Sequence, residues 1–264
     1  MYKKIKIPKK IKKKELLKFF KDLNLDFLIN QSFQADLKVN EINPLSPYKP
    51  ELTDLYRLYK FIVLNKRTTI LEYGSGWSTL IFLIAMDHLK KKYASDIKTL
   101  RRNNPFEIFS IENEKKYLNI TKKRNSIFFK NKKMPKIRYV FSDVEITTYN
   151  GKICTEYKNH PTCSPDFIYL DGPDKFNVKK KINNITFKHK DMMSMVSDIL
   201  KLEYFYTPGT IILIDGRGAN AKFLKDNLKR NWLYKNDHIN DQHIFYLNDD
   251  PLGKYNKLQL KFYM

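Results

Sequence analysis

Short, uniformly apolar runs alternate along the chain with longer stretches whose apolar positions recur at helical spacing. The runs Thr69–Tyr73, Glu107–Glu112, Ile137–Ser142, Phe167–Asp171 and Thr210–Asp215 predict strands. Between them, Ser78 to Lys91, Glu114 to Phe128, Lys190 to Glu203 and Ala219 to Lys229 predict helices, the third with Met192, Met195, Val196 and Ile199 as its core face. Trp232–Tyr234 and His243–Leu247, separated by the polar stretch Lys235 to Gln242, predict a terminal hairpin. Upstream, Glu51 to Leu64 places Leu52, Leu55, Leu58, Tyr59 and Ile62 on one helical face, after a linker punctuated by Pro44, Pro47 and Pro50. Near the start, Glu15 to Asp22 predicts a short amphipathic helix packed on the main body. Strand and helix in alternation require a mostly parallel sheet covered on both faces. The expectation is a doubly wound α/β domain over residues 51–264, with an antiparallel C-terminal strand. A basic, helical N-terminal extension over residues 1–50 forms a small cap.

Composition changes this picture little. With 42% apolar residues, 14% of the chain being aromatic, there is material for a sizeable core. A net charge of +22 would suit a polyanion binder. Yet Lys, Asn, Ile, Tyr and Phe are abundant together and the excess is spread along the chain, Lys3 to Lys14 excepted. That pattern reads as compositional drift, so a nucleic-acid partner is disfavoured. No apolar run approaches the roughly 20 residues of a membrane span, and a signal peptide's apolar core is absent, which predicts a cytoplasmic protein. Cys154 and Cys163 are too few for a disulfide framework or a zinc site.

The chemistry concentrates at strand ends. In Ile70-Leu-Glu-Tyr-Gly-Ser-Gly-Trp-Ser-Thr-Leu80 an apolar strand breaks at Gly74 and Gly76 and restarts as a helix. Without a Cβ the turn can be tight, and a ligand can lie against the amides of the helix start. The second strand ends at Glu112-Asn113, the third is followed by Asp143, and the fourth and fifth end at Asp171 and Asp215. All fall at the carboxyl edge of the sheet, where ligands of open α/β folds bind. A dinucleotide fingerprint would need a third glycine where this chain has Thr79, which disfavours nicotinamide binding.

Glu72 to Ser78 resembles motif I of the class I S-adenosylmethionine-dependent methyltransferases, a Rossmann-like family whose sheet ends in an antiparallel strand. The resemblance implies that Glu72, Gly74, Ser75, Gly76 and Ser78 cradle the methionine half of S-adenosylmethionine. It also implies that Glu112, beside Asn113, accepts the ribose hydroxyls and that Asp143 meets the adenine amine. Asp171 would serve both cofactor and catalysis. The catechol-type members pair two strand-end acids with an Asn, where this chain has Gly216. For Asp171 and Asp215 two alternatives therefore stand: they bind a divalent metal, Mg or Mn, or one acts directly as a base. Arg217 is the candidate for gripping the acceptor, and His160, His189, His238 and His243 are further proton acceptors to weigh.

Together with Asp-Gly-Pro and Ile-Asp-Gly-Arg-Gly, the glycine-loop stretch also resembles an uncharacterised bacterial branch of methyltransferase-like proteins, some associated with surface-glycan pathways. That implies a hydroxyl on a small polar or glycan-like acceptor. The rivals are an RNA methyltransferase and a non-catalytic cofactor-binding scaffold.

Overall fold

The computed structural model describes residues 5–33 and 48–264. Lys3, Lys4, Pro44 and Pro47, from the basic start and the linker, lie outside the described residues. The helices are α1 (Lys13–Asp22), α2 (Asp26–Phe33), α3 (Leu52–Leu64), α4 (Trp77–Ile97), α5 (Lys115–Phe128), α6 (Asp198–Lys201), α7 (Gly218–Asn227) and α8 (Lys254–Tyr263). The strands are β1 (Thr69–Tyr73), β2 (Glu107–Glu112), β3 (Lys136–Phe141), β4 (Val144–Tyr149), β5 (Lys152–Tyr157), β6 (Phe167–Leu170), β7 (Val178–Lys179), β8 (Ile211–Asp215), β9 (Trp232–Asp237) and β10 (Gln242–Leu247).

Seven strands form one sheet in the order β3-β2-β1-β6-β8-β10-β9. β3, β2, β1, β6 and β8 are parallel, and β10 runs antiparallel to both of its neighbours. Strands buried on both faces read as continuous apolar runs, which is why these runs stand out in the sequence. Successive residues then serve opposite layers. Ile70, Ile108, Phe167 and Ile211 join a core with α1 to α4. Leu71, Phe109, Ile168 and Ile212 join a second core with α6, α7 and a smaller sheet of order β5-β4-β7. Leu16 and Phe20 of α1 and Leu28 of α2 are buried in the first core, so the N-terminal helices cap α3 and α4.

Three features depart from the sequence reading. The small sheet was not anticipated, although Asn150-Gly151 between β4 and β5 have φ of 49° and 73°, the mirror-image turn that closes a two-residue hairpin. The helix expected over Lys190 to Glu203 shrinks to α6, because the segment before it pairs along the edge of β5. There Thr155 N donates to Met195 O (2.7 Å) and Ser197 N to Thr155 O (2.9 Å). Met192 is consequently exposed, while Val196 and Ile199 remain in the core. Finally, α8 ties the chain end to the far edge of the sheet: Tyr263 Oη donates to buried Asp166 (3.0 Å), and its ring lies 3.9 Å from the Arg67 guanidinium.

Candidate functional site

β1 leads into Gly74, whose φ of +97° is one that side chains rarely adopt. A Cβ there would sit 3.1 Å from the backbone of both Asp171 and Gly172, and one on Gly172 would sit 2.6 Å from Gly74 N. The turns after β1 and β6 therefore touch backbone to backbone. Gly76 then begins α4 in an extended conformation, its N–H donating to Thr79 Oγ1 (3.1 Å).

Glu72 turns away from this crevice. Fully buried, it accepts from Ser78 Oγ (2.6 Å), Thr79 Oγ1 (2.7 Å) and Ser110 Oγ (2.7 Å), bracing the glycine turn against α4 and β2. Burial pushes its carboxyl up to about 7, against the pull of those hydroxyls. Glu112 does line the crevice, yet its oxygens are occupied. Oε2 accepts from Ser75 N (2.8 Å) and Ser75 Oγ (3.0 Å), and Oε1 from the amides of Asn113 and Glu114 (both 2.8 Å). A carboxylate has about four lone-pair sites, so Glu112 already holds its full complement. Burial raises it to about 7 as well.

Asn113 clamps two loops instead of facing a ligand, donating to Asp174 O (2.9 Å) and accepting from Asp174 N (2.8 Å). Asp143 sits where the chain leaves β3 for the small sheet, its carbonyl accepting from Lys158 N (3.0 Å), and it does not line the crevice. Gly74, Ser75, Ser78, Glu112, Asp171, Asp215 and Arg217 do converge there, on one cavity of about 780 Å³. Gly76 borders a smaller pocket beside it.

Asp171 opens into the cavity with 57% of its side chain accessible. The surrounding protein raises its carboxyl and Arg217 opposes, but water at the exposed side chain weakens both effects. Arg217 Nη2 donates to the carbonyls of Asp171 (2.9 Å) and Pro173 (3.0 Å), fastening the turn after β6. Asp215 accepts from Tyr169 Oη (3.0 Å). Burial, and then the neighbouring Asp171 charge, push Asp215 up to about 7.

A further acid, unforeseen in the sequence, meets this pair. Arg57 of α3 donates to Gln242 Oε1 (2.9 Å) and Asp237 Oδ2 (2.7 Å), and Gln242 pairs in register with Asp215. That docking brings Asp54, one turn earlier, to the cavity. Burial and the Asp215 charge push Asp54 up to about 8. Because the folded state holds this proton more tightly than the unfolded chain, the associated stability is fully present below about pH 4 and lost as pH rises through about 8. Asp54→Asn should therefore melt close to wild type at pH 5 and about 2–4 °C higher at pH 9, as read by calorimetry. A lower melting temperature at pH 9 would contradict the assignment.

Of the histidines, His238 lines the cavity and His189 is exposed. His160 meets Tyr73 Oη (2.8 Å) and His243 meets Tyr234 Oη (2.9 Å). Among the described residues no group of three or more His, Cys, Asp or Glu is arranged to hold a metal ion. Of the three acids that meet here, Asp54 and Asp215 hold their protons up to about 8 and 7 and Arg217 lies 3.7 Å from Asp171, a poor donor set for a hard cation. Nor is any described helix long and apolar enough to cross a membrane.

No protein-family model and no curated sequence matches the chain. Solved structures do align with it. An O-methyltransferase from Bacillus cereus in complex with SAH is 13% identical, with 88% of this chain and 96% of that one covered and a TM-score of 0.42. The O-methyltransferase TomG from Streptomyces achromogenes, involved in tomaymycin synthesis and in complex with SAM, is 11% identical, with 84% and 96% covered and a TM-score of 0.39. The sheet order itself, mostly parallel with the antiparallel β10 placed between β8 and β9, is the doubly wound arrangement with an antiparallel C-terminal strand that the sequence predicts.

Proposed function

We propose that the chain is an S-adenosylmethionine-dependent methyltransferase acting on a hydroxyl of a small polar or sugar-like acceptor. The observation that carries this reading is the glycine turn at the floor of the crevice where β1, β6 and β8 end, with Glu112 on one side and Asp171 and Asp215 on the other. Gly74 and Gly172 keep that floor free of side chains, and about 780 Å³ lies within the range of small-molecule sites. Among the described residues seven Asp and Glu side chains line the cavity against Lys175 and Arg217. Such a lining favours a cationic sulfonium and repels a phosphodiester, which supports a small acceptor over RNA.

Bound S-adenosylmethionine would supply an electrophilic methyl group. The chain's own residues then have separate tasks. Ser75, Gly76 and Ser78 present the turn and the start of α4 to the methionine half. Glu112 receives one ribose hydroxyl once Ser75 Oγ rotates off its Oε2. Asp215, poised near neutrality, takes the acceptor's proton, and Arg217 orients the acceptor beside Asp171. No step is routed through a metal. We also place the division between extension and catalytic domain at residue 50, and the protein in the cytoplasm.

S-adenosylmethionine and its demethylated product should each bind in calorimetry and raise the melting temperature, since a ligand of the folded state stabilises it by mass action. Binding of a nicotinamide dinucleotide, with neither of these bound at millimolar concentration, would overturn the proposal.

A further inference from the structure

A smaller pocket of about 210 Å³ adjoins the crevice, between the start of α4, one face of α5 and the segment Tyr48 to Glu51. Tyr48, Ser75 and Ser78 wall both spaces. Arg124 enters this pocket from α5, on the helix face that also carries Tyr117, Ile120 and Thr121. Its guanidinium lies 3.4 Å from the centroid of the Trp77 ring, a stack that holds the plane of the group and leaves its edge for hydrogen bonding.

That edge is unmet among the described residues. Nη1 of Arg124 is buried and has no hydrogen-bond partner, and Arg124 forms no ion pair among the described residues. A buried guanidinium nitrogen without an acceptor is costly and calls for a ligand atom. Burial alone lowers the Arg124 pKa to about 10, which leaves it cationic at neutral pH. Trp77 and Ser78 are the first residues of the 21-residue helix α4, whose opening amides have no intrahelical acceptor and carry the positive end of the helix dipole. The same pocket is walled by Asp54, Asp171 and Asp215. One small space thus offers a cationic edge and a set of carboxylates, the complement of an α-amino acid in its zwitterionic form. A phosphate dianion would meet those carboxylates unfavourably.

We propose that Arg124, held in plane by Trp77, anchors the α-carboxylate of an amino-acid moiety whose ammonium group faces the Asp54, Asp171 and Asp215 wall. Resting on the cofactor reading above, that moiety is the amino-acid end of S-adenosylmethionine. Arg124 is then the residue that distinguishes the intact cofactor from nucleosides lacking the amino-acid end.

The test compares S-adenosylhomocysteine with 5′-methylthioadenosine, which lacks the amino-acid group, by calorimetry on wild type, R124Q and R124M. Wild type should prefer S-adenosylhomocysteine by about 100-fold, the scale of a charge-assisted contact. In both variants that preference should fall at least 10-fold while methylthioadenosine affinity stays within threefold, which also reports an intact fold. R124M keeps an apolar contact with Trp77 and separates lost charge from lost packing. A variant that binds S-adenosylhomocysteine as tightly as wild type, or loses both ligands equally, overturns the role of Arg124 alone. Wild type binding neither nucleoside overturns the cofactor reading and this assignment with it.

Discussion

Gly172→Ala is expected to destabilise the protein by about 3 kcal/mol, the upper part of the range for overpacking a rigid site, or roughly 6–12 °C in melting temperature. Two of the three atoms its Cβ would meet are backbone, Gly74 N at 2.6 Å and Tyr73 C at 2.8 Å, and neither can move without pulling β1 from β6. The third, Tyr157 Oη at 2.8 Å, is itself buried. Because Gly74 is the floor of the crevice, the variant should also lose cofactor binding. Gly218→Ala is the matched control: its Cβ would meet only His243 Nε2 at 3.6 Å, ordinary contact, and it should melt within about 2 °C of wild type. Equal melting temperatures for the two variants would show that the turns after β1 and β6 are free to separate.

Asp215→Asn is expected to lower turnover by about 10²–10⁴, the usual contribution of a positioned proton acceptor, a far larger effect than its loss of cofactor affinity, since Asp54 and Asp171 still face the ammonium group. The amide keeps the size of the side chain and its contact with Tyr169 but cannot take a proton. In wild type, turnover should rise with pH through about 7 as Asp215 ionises, and the variant should lack that rise. Asp171→Asn should lower turnover and also move the wild-type inflection downward, because it removes the negative charge that helps to hold the proton on Asp215. A chelator should leave all of these rates unchanged. Wild-type turnover by Asp215→Asn, once an acceptor is in hand, would make the pair structural and direct attention to His238, which shares the cavity.

The parallel sheet and the place of the glycine turn were legible in the chain alone. A strand buried on both faces must be mostly apolar, and a turn that brings two backbones together must omit its side chains. Both demands fall on consecutive residues, so Thr69–Tyr73, Phe167–Leu170 and Gly74 carry them openly, whereas the approach of Gly172 to Gly74 emerges only in the fold. Strand ends follow from the same runs, which is why Glu112, Asp171 and Asp215 could be placed at one edge.

Side-chain direction and long-range docking were decided only by tertiary structure. Glu72 was read as a ligand residue, yet three hydroxyls from α4 and β2 draw it into the interior. Glu112 reaches the crevice with four donors already on it, and Asp143 leaves with the small sheet. Lys190 to Glu203 has helical spacing, but Thr155 claims the backbone of Met195 and Ser197 before an intrahelical bond can. Asp54 joins the site because Arg57 pairs with residues 180 and 185 positions away. Arg124 gains an unmet nitrogen because Trp77 of another helix holds its plane. The chain by itself determined whatever neighbouring residues must satisfy jointly. Only the fold decided which charges meet, since each such pair depends on groups far apart in sequence and on how many donors already surround each acid.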